Sequence, residues 1–166
     1  MNGAEDTFDY RQLGWQPGTI GDLDHRQLKV PSVKLRGAHR GANGDTLYSI
    51  DLRWRRPNAG EYLTTTETHS LEHFMLDGFS RRLPHNFIGV GIMGCLTGFY
   101  LTLLGEGRRQ VIEDTLETVL NDVLAASEVP YARIDQCGDW QNHDLAGAQA
   151  IAREVLARRS LWRNVV

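Results

Sequence analysis

The segment His69-Ser70-Leu71-Glu72-His73 sets two imidazoles four residues apart, with a carboxylate between them. On an α-helix His69 and His73 stack on one face a turn apart, and Glu72, offset by about 100° from His73, stands beside them. The chemistry this offers is a metal site with its own proton-transfer group: the histidines hold the ion and Glu72 moves protons. The plainer reading is three polar residues on a solvated helix face. Helical structure has local support, because Thr64 and Glu67 form a capping-box pattern and Leu71, Phe74, Met75 and Leu76 supply apolar residues up to Gly78. The pattern predicts a helix over about 66–79.

Two histidines rarely hold a divalent ion alone, and a catalytic site usually takes three protein ligands and leaves a position for water or substrate. Cys137 is the first candidate for the third, since Gln136-Cys137-Gly138-Asp139 reads as a turn that lets a thiolate approach; His25, His143 and Glu154 compete with it. A His/His/Cys set suits zinc and tolerates ferrous iron, and the ion itself deprotonates the thiol. Packed as a small hydrophobe, Cys137 would instead be inert. Cys95 lies in Met93-Gly94-Cys95-Leu96-Thr97-Gly98, a loop-like setting that favours a reactive thiol over a core side chain. Such a thiol can act as nucleophile or as acid/base partner to Glu72.

These residues need a scaffold, and 166 residues suffice for one domain with a respectable core. Residues 1–18 are polar and irregular and read as a flexible or partner-draped arm, leaving 19–166 as a single metalloenzyme domain. Strand character runs over 32–40 and 46–55, joined by Gly41-Ala42-Asn43-Gly44-Asp45 with its Asn-Gly hairpin signal. In the second strand Tyr48, Ile50, Leu52 and Trp54 alternate with Leu47, Ser49, Asp51 and Arg53, so one face is apolar and the other polar. Residues 86–93 and 97–104 read as two further strands. Amphipathic spacing predicts a helix over 109–126, and another opens at Asp144, a good N-cap, carrying Leu145, Ala148, Ile151, Ala152, Val155 and Leu156 inward. The predicted class is α+β, an antiparallel or mixed sheet packed on one side by helices. A net charge of −3 with scattered arginine pairs, at 55–56, 81–82, 108–109 and 158–159, gives no footprint for nucleic acid, and those pairs read as solvated surface. No apolar run approaches the ~20 residues of a bilayer span, and the N-terminus lacks signal-peptide regions, so no membrane partner and a cytoplasmic location are expected.

The chain resembles the S-ribosylhomocysteine lyase (LuxS) family of autoinducer-2 synthesis. Three blocks carry the likeness: the His69–His73 segment, Met93-Gly94-Cys95-Leu96-Thr97-Gly98-Phe99-Tyr100, and Gln136-Cys137-Gly138 followed by His143-Asp144-Leu145. Leu23-Asp24-His25 and Asp51-Leu52-Arg53 add a weaker match. The resemblance implies His69, His73 and Cys137 as ligands of ferrous iron, with zinc or cobalt able to substitute. It implies Glu72 and Cys95 as the general acid/base pair, His25 and Arg53 as ribose-binding residues, and a homodimer with interfacial active sites. The implied reaction moves a sugar carbonyl along the ribosyl group through enediolates, then eliminates homocysteine to leave 4,5-dihydroxy-2,3-pentanedione.

Two departures stand out. Gly89-Val90-Gly91-Ile92 replaces the usual Ser-Pro, often preceded by an acidic residue, before Met-Gly-Cys; Ile20 replaces a common serine five residues before His25. They raise a second reading, an isomerase, epimerase or C–S lyase of the same machinery acting on a related sugar or thioether. Two rivals come from other classes. H-x-x-E-H is also a metallopeptidase signature, which leaves Cys95 without a role; and a closed, four-ligand metal staple would take His143 as its natural fourth ligand.

Overall fold

The computed structural model describes residues 8–166. Among these, four strands and three α-helices follow in the order β1 (Ser32–Arg40), β2 (Thr46–Arg53), α1 (Thr65–Arg82), β3 (Phe87–Ile92), β4 (Gly98–Leu104), α2 (Arg109–Ala125) and α3 (Leu145–Ala157), with a 3-10 turn at Arg159–Leu161. The sheet order is β1-β2-β4-β3 and every pairing is antiparallel, so the class is α+β as expected. No helix among the described residues is long and apolar enough to cross a membrane.

Strand alternation divides the sheet into two chemistries. Val33 pairs with Leu52 and Leu52 with Phe99, while Leu35, Ile50 and Leu101 line up in the next row; all are buried on the face that meets the helices. The intervening residues face away from them: Lys34, Asp51, Tyr100 and Gly91 form one row, and Ser32, Arg53 and Gly98 another. At Gly98 a Cβ would collide with the Leu52 carbonyl and Arg53 Cα, so only glycine lets β4 begin so close to β2 beside Arg53. The polar face is not open water at this point. Lys34, Asp51 and Arg53 are each under 5% exposed, beneath the segment that runs from Gly21 to Leu28.

Helix α1 begins as its sequence dictates. The Thr64 hydroxyl accepts from the Glu67 N–H at 3.1 Å and the Glu67 carboxylate accepts from the Thr64 N–H at 2.7 Å, the reciprocal capping box. It runs past the expected end to Arg82, because Gly78 is no stop: it is where α2 packs closest, and a Cβ there would strike both methyls of Val119. Helix α3 opens on Asp144, whose carboxylate accepts from the Gly147 N–H at 2.8 Å, as the sequence predicts.

One expectation is corrected. Arg109 is not solvated surface but 1% exposed, donating to Glu113 at 2.8 Å and to the Val33 and Trp162 carbonyls, with Trp15 stacked beside its guanidinium. Burial of this cation is tolerated because Glu113, one turn on, is buried with it. The arm assigned to 1–18 lies partly outside the described residues; from Phe8 onward it has neither helix nor strand, yet Trp15 is buried in the core and its indole N–H donates to the Gly107 carbonyl at 2.8 Å.

The Gly78 contact yields a stability prediction. Alanine at a mid-helix glycine ordinarily gains about 1 kcal/mol, whereas forcing a methyl into a packed contact costs about 1–3 kcal/mol. Gly78→Ala is expected to lower unfolding stability by up to about 2 kcal/mol in urea denaturation, and in a Val119→Ala background the same change should be stabilising by comparison.

Candidate metal centre

Four side chains converge within the helix layer. His69, His73, Cys137 and His143 each bring one ligand atom into a group whose members lie within 4.8 Å of one another. His69 and His73 come from α1; Cys137 and His143 come from the connection between α2 and α3. Cys137 Sγ lies 3.4 Å from His69 Nε2 and 3.7 Å from His143 Nε2.

Hydrogen bonding on the far side of each ring fixes the tautomer that a metal requires. His69 Nδ1 lies 2.9 Å from the Asn142 carbonyl and His73 Nδ1 lies 2.6 Å from the Pro130 carbonyl. A carbonyl only accepts, so both Nδ1 atoms carry the proton and both Nε2 atoms present lone pairs. His143 Nδ1 lies 3.3 Å from Ser70 Oγ, whose own proton goes to the Thr66 carbonyl at 2.8 Å. Ser70 therefore accepts, and His143 Nε2 is also free to bind. With one thiolate and three imidazole nitrogens turned inward, the donor set fits a divalent transition ion such as zinc or ferrous iron.

Of the competitors for the third ligand, only His143 joins Cys137 here. Glu154 pairs instead with Arg55 at 2.9 Å, and His25 is exposed on the opposite side of the sheet. His143 was recognisable by residue type, but six residues from Cys137 and about seventy from His69 no spacing rule selects it. Ser70, Asn142 and Pro130 gave no signal in the sequence, since two of them act through backbone carbonyls.

A second set of polar residues gathers on the helix-free face. Arg53 donates to Asp51 at 2.9 Å and to Thr97 Oγ1 at 2.8 Å, and Asp51 also pairs with Lys34 at 3.5 Å. These three charges and His25 line a cavity of about 120 Å³ with Tyr100 and Arg36. Cys95 is an exposed free thiol in the β3–β4 turn, and lines a neighbouring cavity with His25, Pro57, Asn58, Tyr62 and Thr97. Thus His25, Arg53 and Cys95 lie together, while His69, Glu72, His73 and Cys137 lie together elsewhere. At the departures, Ile20 packs partly buried against the core, and a Cβ at Gly89 or Gly91 would meet nothing within 4 Å.

Burial raises the Glu72 carboxyl above its ordinary value against a smaller opposing pull from His69 and His73, which suits a group that must both take and return a proton. Burial, and then the nearby His69 and His73, push His143 down to about 4, leaving it neutral at pH 7. A histidine lowered in the folded state stabilises fully above its unfolded value of about 6.5, and that stability is lost as pH falls toward the folded value. The metal-free protein should accordingly melt at progressively lower temperature from pH 6.5 to 4, and His143→Asn should flatten that slope in thermal scans.

The model of the S-ribosylhomocysteinase (LuxS) family matches residues 21–166. The S-ribosylhomocysteine lyase of Dichelobacter nodosus is 43% identical over 144 residues, covering 87% of this chain and 92% of the relative. That of Halobacillus halophilus is 42% identical over 144 residues, 87% of this chain and 93% of the relative, and that of Chromohalobacter salexigens is 41% identical over an equal span. With most of both sequences aligned and the metal-type cluster formed by the very segments that carry the family's motifs, this chain belongs to the S-ribosylhomocysteinase (LuxS) family.

Proposed function

We propose that the protein is a metal-dependent S-ribosylhomocysteine lyase, a carbon–sulfur lyase working through isomerisation of the ribosyl group and β-elimination of homocysteine. The observation that supports this most is the convergence of His69, His73 and Cys137 in a chain of this family, with Glu72 on the same helix. His69, His73 and Cys137 hold the ion, taken as ferrous iron with zinc or cobalt able to substitute. His143, the fourth member of the cluster, stands neutral beside them. When bound, the ion supplies Lewis acidity to the sugar's carbonyl and hydroxyl oxygens.

The chain's own residues do the rest. Glu72, held high by burial, abstracts a proton from one sugar carbon and returns it to the next. Cys95 serves as the second acid/base group, and His25 and Arg53 grip the ribose hydroxyls. Arg53 is already fixed by Asp51, so it meets substrate without reorganising. The family match supports this over a peptidase, in which Cys95 has no task.

The proposed assembly is a homodimer in which the metal half-site of one subunit faces the thiol half-site of the other. Support comes from the separation of the two sets: the cluster sits in the helix layer, whereas Arg53 and Lys34 point from the other face of the sheet. A thioether sugar bound by both sets bridges the subunits.

A second reading concerns the substrate. The departures at Ile20 and Gly89-Val90-Gly91-Ile92 leave a related sugar or thioether as the alternative substrate of the same machinery. A panel of S-ribosyl thioethers separates the readings: ordinary turnover confined to S-ribosylhomocysteine removes the second.

Two sets of variants test the main reading. Metal analysis of purified protein should show the ion lost in Cys137→Ser but kept in His143→Asn with affinity reduced about 10- to 100-fold, as for a group outside the ligand set. Loss from His143→Asn as complete as from Cys137→Ser would indicate a closed, four-ligand staple instead. In anaerobic assays of free-thiol release, Glu72→Gln and Cys95→Ala should each lose at least about 100-fold in kcat while keeping their metal. Retention of turnover by Cys95→Ala would remove the lyase assignment.

A further inference from the structure

The polar chain behind Cys95 passes through a residue that no part of the reading so far uses. Thr97 is 1% exposed, and its hydroxyl oxygen lies 2.8 Å from Arg53 Nη1, 3.0 Å from Cys95 Sγ and 3.6 Å from Met93 Sδ. A guanidinium only donates, so toward Arg53 the Thr97 oxygen is always the acceptor. Its own hydrogen is then left two takers, both of them sulfur. Everything around that hydroxyl is fixed. The Thr97 carbonyl accepts from the Trp54 and Arg55 N–H groups at 2.9 Å each, and the Leu63 N–H binds the Leu96 carbonyl at 2.9 Å. Leu96, between Cys95 and Thr97, holds a φ of +56°, a left-handed conformation that a leucine keeps only when its surroundings enforce it. On the other side, Arg53 is pinned by Asp51, Asp51 by Lys34, and Lys34 donates to the Gly21 carbonyl at 2.6 Å.

From this geometry we infer that Thr97 is the positioning residue of Cys95, its hydroxyl turning with the proton of the thiol. With Cys95 ionised, the hydroxyl hydrogen points at Cys95 Sγ and donates a charge-assisted hydrogen bond. With Cys95 protonated, the S–H donates to the Thr97 oxygen and the hydroxyl hydrogen swings to Met93 Sδ. One partner therefore serves both protonation states without moving a heavy atom, and the Arg53 bond persists in each. An acid/base group that gives and takes a proton within one turnover needs a partner of this kind, since a fixed donor or a fixed acceptor would favour one state alone.

The inference rests on the reading of Cys95 as an acid/base group, and its test includes an arm that needs no sugar substrate. Metal-loaded wild type, Thr97→Val, Thr97→Ala and Thr97→Ser are compared for alkylation of Cys95 by iodoacetamide at neutral pH, followed by peptide mass spectrometry to separate Cys95 from Cys137. The charge-assisted bond to the thiolate is stronger than the S–H bond made by the thiol, so losing both should slow alkylation about three- to tenfold in Thr97→Val and Thr97→Ala, with Thr97→Ser within about twofold of wild type. In the thiol-release assay the same two variants should lose at least about tenfold in kcat with KM within about twofold, and serine should restore kcat. Wild-type alkylation in Thr97→Val or, should that variant not fold, in Thr97→Ala overturns the inference. So does a Thr97→Ser protein as impaired as Thr97→Val, which would show that the methyl and not the hydroxyl matters. If wild type cleaves no S-ribosylhomocysteine yet alkylation follows the stated order, the substrate assignment fails and the role of Thr97 stands.

Discussion

Helix α1 has to satisfy two partners at once, and the rest of the molecule is arranged around that constraint. Its 3.6-residue period sends Leu71, Phe74, Met75 and Phe79 into the core, and the same rotation turns His69 and His73 toward the connection between α2 and α3. The capping box fixes where the helix begins, and the close approach of Gly78 to Val119 fixes how deep it sits against α2. A slip of one residue would rotate the histidines away from the Pro130 and Asn142 carbonyls that set their tautomers. The positions of the two imidazoles are thus a consequence of core packing, and the metal-type cluster inherits its precision from the hydrophobic face of one helix.

The sheet applies a second constraint, through alternation. Because Leu52 must face the helices, Asp51 and Arg53 must face away, and antiparallel register then brings Lys34 and Tyr100 alongside Asp51. Removing a partner from such a buried ion group typically costs about 3–5 kcal/mol, since the remaining charge is left uncompensated. The group is therefore a poor means of gaining stability compared with an apolar face. Its retention makes sense as a rigid, pre-charged wall for the proposed sugar site. Cys95 belongs to that wall through Thr97, even though its loop is exposed.

Much of this was legible in the sequence where a local rule applies. The Thr64–Glu67 box, the Asn43-Gly44 hairpin, the alternation of β2 and the Asp144 cap are each decided within a few residues, and the structure contains all four. What was illegible depends on partners distant in the chain. Gly78 reads as a helix end until Val119 is seen against it. Arg109 reads as surface beside Arg108, although Glu113 at i+4 was a usable hint of a paired cation. Trp15 is the largest apolar side chain of an arm that also carries Phe8, Tyr10 and Leu13, and its burial depends on the distant Gly107 carbonyl that its indole N–H reaches. His143 is marked by its chemistry, but its convergence with His69 and Cys137 is a tertiary fact that no spacing shows. Thr97 appeared only as part of a motif, and its contacts with Arg53 and Cys95 give it a distinct place.

The central claim is that one catalytic site draws its metal half, with Glu72, from one subunit and its thiol half, with Cys95, from the other. Coexpression of Glu72→Ala and Cys95→Ala chains carrying different tags, followed by purification of the doubly tagged species and assay of thiol release from S-ribosylhomocysteine, tests it most directly. Each such dimer would contain one site with both groups intact and one with neither, so two inactive chains together should recover about half of wild-type turnover. A metal-loaded, doubly tagged dimer with no turnover would contradict the shared site, because it would mean that Glu72 and Cys95 must act within a single chain.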